Sequence, residues 1–371
     1  MKDRRPDPKH GMRPFRYAVL ALAALVVLSL GFALIPAERP VPAEPPFSER
    51  ARAAALSAVL EMRTAGLALA SADTSQSTAL GPVVTLLTIQ ARALLAPASG
   101  SPSAPTEASP PPAAATPSAD AGPQNTAELV RALAVSGTAR LKDAETADGG
   151  MARLLAGTGT AQLLAAAQLA SAAGVPVPPE AAGPGTEVQA TAQPASPCPS
   201  PPARAAAPAP AVSSPAALAA AVSAEQQAVY GYQAALPRLA PADAGPASEF
   251  LGAHKELAAA AVERLRLACG TEVPQQPGYV LDPGFLAAPA VALGRLEAAT
   301  VVAYGDLVAA AQGHDRKWAL AALRSAAARA LRWGADPGPV PGLTLDAGQL
   351  PGLPAGDGLA AGPRPSSSVA S

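Results

Sequence analysis

The sequence predicts an all-α protein in which two alanine-rich four-helix bundles follow an N-terminal transmembrane helix. Three observations carry the prediction. Apolar residues recur at three- and four-residue spacing in eight separate segments beyond residue 47, the period of an amphipathic helix. The 43 prolines and 31 glycines gather mainly between those segments, as linkers would. An uncharged apolar run, YAVLALAALVVLSLGFALIP at 17–36, follows a basic N-terminus. With 3% aromatic residues and many alanines, each helix buries little area, so the cores must be thin and closely packed.

The basic tail 1–16 carries Lys2, Arg4, Arg5, Lys9, Arg13 and Arg16. About 20 apolar residues span a bilayer, and a basic flank stays in the cytoplasm. We therefore expect 17–36 to be an uncleaved signal anchor, with everything beyond it extracytoplasmic in a single-pass cell-membrane protein. The alternative is a cleaved signal peptide, with Gly31-Phe32-Ala33 as its small-residue site. A short proline-rich stalk leads to the first bundle, expected over 47–174 with helices at 49–70, 82–95, 126–145 and 151–174. A Pro/Ala/Ser-rich insertion, 96–123, interrupts it. A second linker, 175–212, precedes the second bundle, 213–343, with helices at 215–239, 247–268, 288–311 and 316–333. Residues 344–371 are small and polar and read as a disordered tail. Helix pair, interruption, helix pair occurs in both halves, which suggests internal duplication.

Charge and motifs exclude several functions. A net charge of −1 gives no footprint for nucleic acid, so no nucleic-acid partner is expected. No phosphate loop or nucleophile triad occurs. Cys198 and Cys269 are the two cysteines, and in an oxidising compartment they form a candidate disulfide pinning the linker to the second bundle.

The one cluster with chemical potential lies in the second bundle. Leu218, Val222, Glu225, Val229, Tyr232, Leu236 and Leu239 share one helical stripe, so Glu225 points at the core. Phe250, His254, Leu257, Ala261 and Leu265 place His254 inward, and Leu293, Glu297, Val301, Tyr304 and Val308 do the same for Glu297. Two carboxylates and an imidazole facing one axis are the donors of a carboxylate metal site. The first bundle offers only Met62, Gln90 and Gln162 on its inner faces, with Glu61 off the stripe.

The segments EQQAVYGYQ, AHKELAAAAVERL, PGYVLDPG, GRLEAATVVAYGDLV and HDRKWALAALRSAAARALRW, closed by PGL, resemble a ferritin-like domain family of unknown function in exported actinobacterial proteins. The resemblance spans about 215–343. It implies a ferritin-like four-helix bundle, with a degenerate second copy before it. The di-iron plan of that fold needs a glutamate from each of two helices and Glu-x-x-His from each of the other two. Leu251 stands three residues before His254, and the last helix carries Arg324, Arg329 and Arg332 in its interior. A full di-iron centre is therefore not expected. Two readings of Glu225 and Glu297 remain: a buried ion pair with Arg316 or Arg324, or a metal site of Glu225, His254 and Glu297 holding Fe, Mn or Zn. The first implies no cofactor and no catalysis, and a scaffold or binding module in the envelope with a protein partner or a second copy. The second implies a metal-binding or metal-dependent redox protein.

Overall fold

The computed structural model describes residues 18–22, 25, 44–72, 76–95, 122–181 and 214–353. The chain divides into two units, Met1–Pro45 and Pro46–Ser371. In the first, residues 18–22 and 25 are helical and exposed; the rest of the predicted transmembrane segment lies outside the described residues. All regular structure among the described residues is helical.

The second unit contains α1 (Phe47–Ala72), α2 (Ser77–Leu95), α3 (Thr126–Ala144), α4 (Gly149–Ala173), α5 (Ser214–Ala235), α6 (Pro241–Leu267), the short α7 (Pro283–Ala287), α8 (Pro289–Ala310) and α9 (Gly313–Arg332). Local chemistry sets several of the ends. The Asn125 side chain accepts the Glu128 amide while Glu128 accepts the Gln124 amide, a reciprocal cap that starts α3. Asp148 caps α4 through the Met151 amide, and Gly174 stops it at φ 65°. Prolines stand in the first turn of α6, α7 and α8, where a missing N–H costs no bond.

Prolines also account for the departures from expectation. Helix α2 starts five residues before Pro82, because the Gln76 carbonyl accepts the Ala79 and Leu80 amides and the helix accommodates the proline within it. Helix α5 ends at Ala235 rather than at Leu239: Pro237 has no N–H to continue it, and Leu236–Arg238 tightens into a 3-10 turn. Helix α6 begins six residues early and takes Pro246 inside it.

Both halves repeat one neighbour order. The first helix packs on the second and third, and the fourth packs on the third and second: α1, α2, α3, α4 in one half and α5, α6, α8, α9 in the other. A small-residue crossing holds α3 and α4 close, since a side chain on Gly137 or Gly159 would strike the other's carbonyl. Helices α1 and α2 are each long and apolar enough to cross a bilayer by length and composition, a property that core helices share. Here Ala55, Val59, Leu80 and Leu87 belong to the common core.

That core is continuous across the halves, joining Leu133 and Leu155 to Val222, Leu257, Tyr304, Leu307 and Leu323. The halves also interlock through polar contacts. Arg153 pairs with Asp306 at 2.6 Å and donates to the Gly342 carbonyl. Arg316 donates to the carbonyls of Ala311 and Ala147, at 2.7 and 2.5 Å. The segment after α9 crosses the first bundle: Gln90 donates to the Pro339 carbonyl, and Arg92 holds the carbonyls of Ala347, Leu350 and Pro351. Of the tail expected over 344–371, residues 344–353 are described, and Arg92 ties them to α2 through those three carbonyls; the rest lies outside the described residues. A second apolar cluster, with Tyr232, Ala235, Phe285, Leu293 and Trp333, fills the other end of the second bundle.

Candidate functional site

Where the two apolar clusters meet, four helices each bring one charged side chain into the interior: Glu225 from α5, His254 from α6, Glu297 from α8 and Arg329 from α9. Glu225, His254 and Glu297 are fully buried and Arg329 nearly so. The heptad-like stripes deliver them as expected for the first three. Arg329 follows the same logic, since Ala322, Ala326 and Trp333, all buried, stand seven and three residues before it and four after.

His254 bridges the two carboxylates. Its Nδ1 lies 2.6 Å from Glu225 Oε2, and its Nε2 lies 2.9 Å from Glu297 Oε1. An ionised carboxylate only accepts, so the ring is satisfied as an imidazolium donating from both nitrogens. Arg329 Nε sits 3.0 Å from each carboxylate oxygen of Glu297. Two phenols complete the cluster. Tyr232 donates to Glu297 Oε1 at 2.5 Å, and Tyr304 donates to Glu225 Oε1 at 2.6 Å. Thr300 Oγ1 reaches Glu297 Oε2 at 3.3 Å, and the Trp333 indole donates to the Tyr232 oxygen at 2.6 Å.

The sum of charges is zero: two carboxylates against one imidazolium and one guanidinium. Burial disfavours charge on His254, but its bonds to Glu225 and Glu297 outweigh that, and its pKa is raised. Burial likewise opposes ionised Glu297, yet the Arg329 charge and the His254 bond hold its pKa below the ordinary carboxylate value. Arg329 loses solvation, but the charges of Glu297 and Glu225 raise its pKa further. Burial, with the Glu297 charge, keeps the Tyr232 phenol protonated.

The ion pair expected for Glu297 exists, with a different arginine. Arg316 lies 13 residues before Arg329, about 20 Å along a helix at 1.5 Å per residue, and spends its donors on backbone carbonyls at the end of α3 and α8. Arg324 lies five residues before Arg329, so it points about 140° around the helix; it donates to the Glu180 carbonyl. Arg329, Tyr232 and Tyr304 are the residues that sequence reasoning did not assign to the site. A signal for the tyrosines was present: Glu-x6-Tyr occurs at 225/232 and again at 297/304, and each tyrosine bonds the other pair's glutamate.

The metal alternative is tested by the donor set. A ligating imidazole must present a lone pair, whereas both nitrogens of His254 already face carboxylates. Both oxygens of Glu297 face a guanidinium. Among the described residues, no group of three His, Cys, Asp or Glu side chains is arranged to hold a metal ion. The residues as placed do not fit a metal centre.

Cys269, at φ 56° just past α6, is disulfide-bonded. The other cysteine, Cys198, lies outside the described residues. In the first bundle Gln162 donates to Gln90 at 3.0 Å, so both halves put polar side chains of their second and fourth helices in the core.

Residues 217–345, which contain the whole cluster, match the model of a domain of unknown function (DUF4439). Among the curated proteins and among the solved structures compared with the chain, none matches.

Proposed function

We propose that the chain is a membrane-anchored, extracytoplasmic protein whose second half is a ferritin-like bundle acting as a non-catalytic scaffold or binding module of the cell envelope. The observation that carries this reading is Arg329: a permanent cation occupies both oxygens of Glu297 where a metal-binding bundle would need a further ligand. The neighbour order α5–α6, α5–α8, α8–α9, with one long connection between α6 and α8, supports the ferritin-like topology. The apolar run 17–36 behind a basic tail supports the anchor. Glu225, His254, Glu297 and Arg329 then fix the register of four thin helices that small side chains alone specify poorly, a role attested for buried polar groups in other helical assemblies.

A second reading, a metal-binding or metal-dependent redox protein, is favoured by the convergence of Glu225, His254 and Glu297 alone. Elemental analysis of the full chain, purified without chelator, separates the two. The scaffold reading expects no stoichiometric Fe, Mn or Zn. One equivalent that disappears in Glu225→Ala would establish the other.

We further infer that Cys269 is bonded to Cys198, tethering the second linker beside α6. The wild-type chain should show no reactive thiol without reductant, and Cys198→Ser should show one per chain. A reactive thiol in the wild type contradicts the pairing.

A further inference from the structure

Away from the buried cluster, an apolar groove of about 770 Å³ opens where α2, α4 and the segment after α9 meet. Its floor is Val83, Ala161, Ala165 and Leu169, all buried. Ala161, Ala165 and Leu169 follow one another at four-residue spacing on α4, and the two alanines are too short to fill the space up to α2. Half-buried Leu86 and Ile89 of α2 form a side wall. A third wall, 334–339, is held in place by two bonds. Gln90 donates to the Pro339 carbonyl, and Asp336 Oδ1 accepts the Gly338 amide at a turn where Gly338 takes φ 80°. Asp336 is the single charged side chain in the lining. It is exposed to solvent and pairs with no cation among the described residues.

We propose that this groove binds a free single-chain amphiphile with a cationic head, its alkyl chain on the floor of Ala161, Ala165 and Leu169 and its ammonium facing Asp336. The inference rests on the binding-module reading above and gives that module a ligand class and a place. Size and charge select the occupant. The volume falls in the range of about 300–1,000 Å³ typical of small-molecule sites, which favour junctions between structural units and an apolar lining with few polar groups. A partner helix is too large. Residues 78–89 of α2 run about 16 Å at 1.5 Å per residue, and a helix about 10 Å across fills about 1,300 Å³ over that length, so it would stand largely outside the groove. The alkyl chain supplies most of the affinity by leaving water. An exposed carboxylate adds only about a two- to fivefold preference for a positive head, and it repels a negative one.

The test uses the full chain in lipid nanodiscs free of detergent, with three octyl probes that carry a photoreactive diazirine at the chain end and differ only in the head: ammonium, alcohol or carboxylate. Peptide mass spectrometry locates and quantifies the label. The ammonium probe should label 82–89 and 161–169 saturably, at a half-saturating concentration about two- to fivefold below that of the alcohol, with the carboxylate weakest. Asp336→Asn should bring the ammonium probe to the level of the alcohol and leave the alcohol unchanged. Ala165→Leu, which fills the floor, should abolish labelling of both segments by all three probes. If Ala165→Leu does not fold, Thr85→Trp blocks the groove from an exposed lining position and is expected to do the same. Labelling that never saturates, that is equal for the three heads, that Asp336→Asn leaves unchanged or that persists in the filled variants overturns the inference. Each of those failures leaves the scaffold reading standing, since the metal analysis above tests that reading by itself.

Discussion

Arg329 and His254 carry the positive half of a buried network, and their loss has different consequences. Arg329→Met keeps the aliphatic stem but strands Glu297, and removing one partner of a buried pair typically costs about 3–5 kcal/mol; urea unfolding monitored by circular dichroism measures it. For pH, the signs follow from the shifts. His254 has a raised pKa, so its contribution is complete below the ordinary histidine value of 6.5 and is lost as pH rises through the folded value. Glu297 has a lowered pKa, so its contribution is complete above 4.5 and is lost as pH falls through the folded value. Both are complete only between those limits, and the urea midpoint should peak there. His254→Gln should flatten the alkaline limb and leave an acidic one. The inward aim of Glu225, His254 and Glu297 was legible because apolar neighbours at three- and four-residue spacing fix helical phase. Arg329 was harder to read because its stripe is mostly alanine, which marks a buried face weakly, and because four arginines compete in one helix.

At the scale of elements, the repeated Glu-x6-Tyr ties α5 to α8 by exchange, each tyrosine reaching the opposite glutamate. Tyr232→Phe should therefore weaken the α5–α8 contact by leaving Glu297 and the Trp333 indole each short of a partner, by about 1–3 kcal/mol in urea unfolding. Helix α8 also meets the loop after α9 at a point where only glycine fits. Gly342 adopts φ 82°, and a Cβ on Gly305 would collide with the Gly342 backbone. Gly305→Ala is expected to destabilise by about 1–3 kcal/mol, as overpacking does; an unchanged melting temperature would contradict that contact. The helices themselves were visible in the sequence, and their ends less so. Pro82 and Pro246 lie inside helices, where packing overrides the local preference for a break, whereas Pro237 ends α5 as its chemistry suggests.

For the whole molecule, periodicity revealed two similar halves but not how they join. Their union depends on Arg153, Arg316 and Arg92 reaching backbone carbonyls and one aspartate across the chain, contacts that leave no periodic trace. Because one core runs through both halves, calorimetry should show a single cooperative transition for the unit beyond Pro46. Arg92→Ala should speed amide exchange in 344–353, whose described tethers to α2 are that side chain's three carbonyl bonds. The central claim is that the middle of the second bundle is a closed, charge-balanced network and not a vacant ligand set. Of the three histidines only His254 is buried among the described residues, so nitrogen NMR of chain labelled at histidine isolates it. The account predicts two slowly exchanging ring N–H protons on His254 at pH 6, one on each nitrogen. A His254 ring with one unprotonated nitrogen at that pH would contradict it.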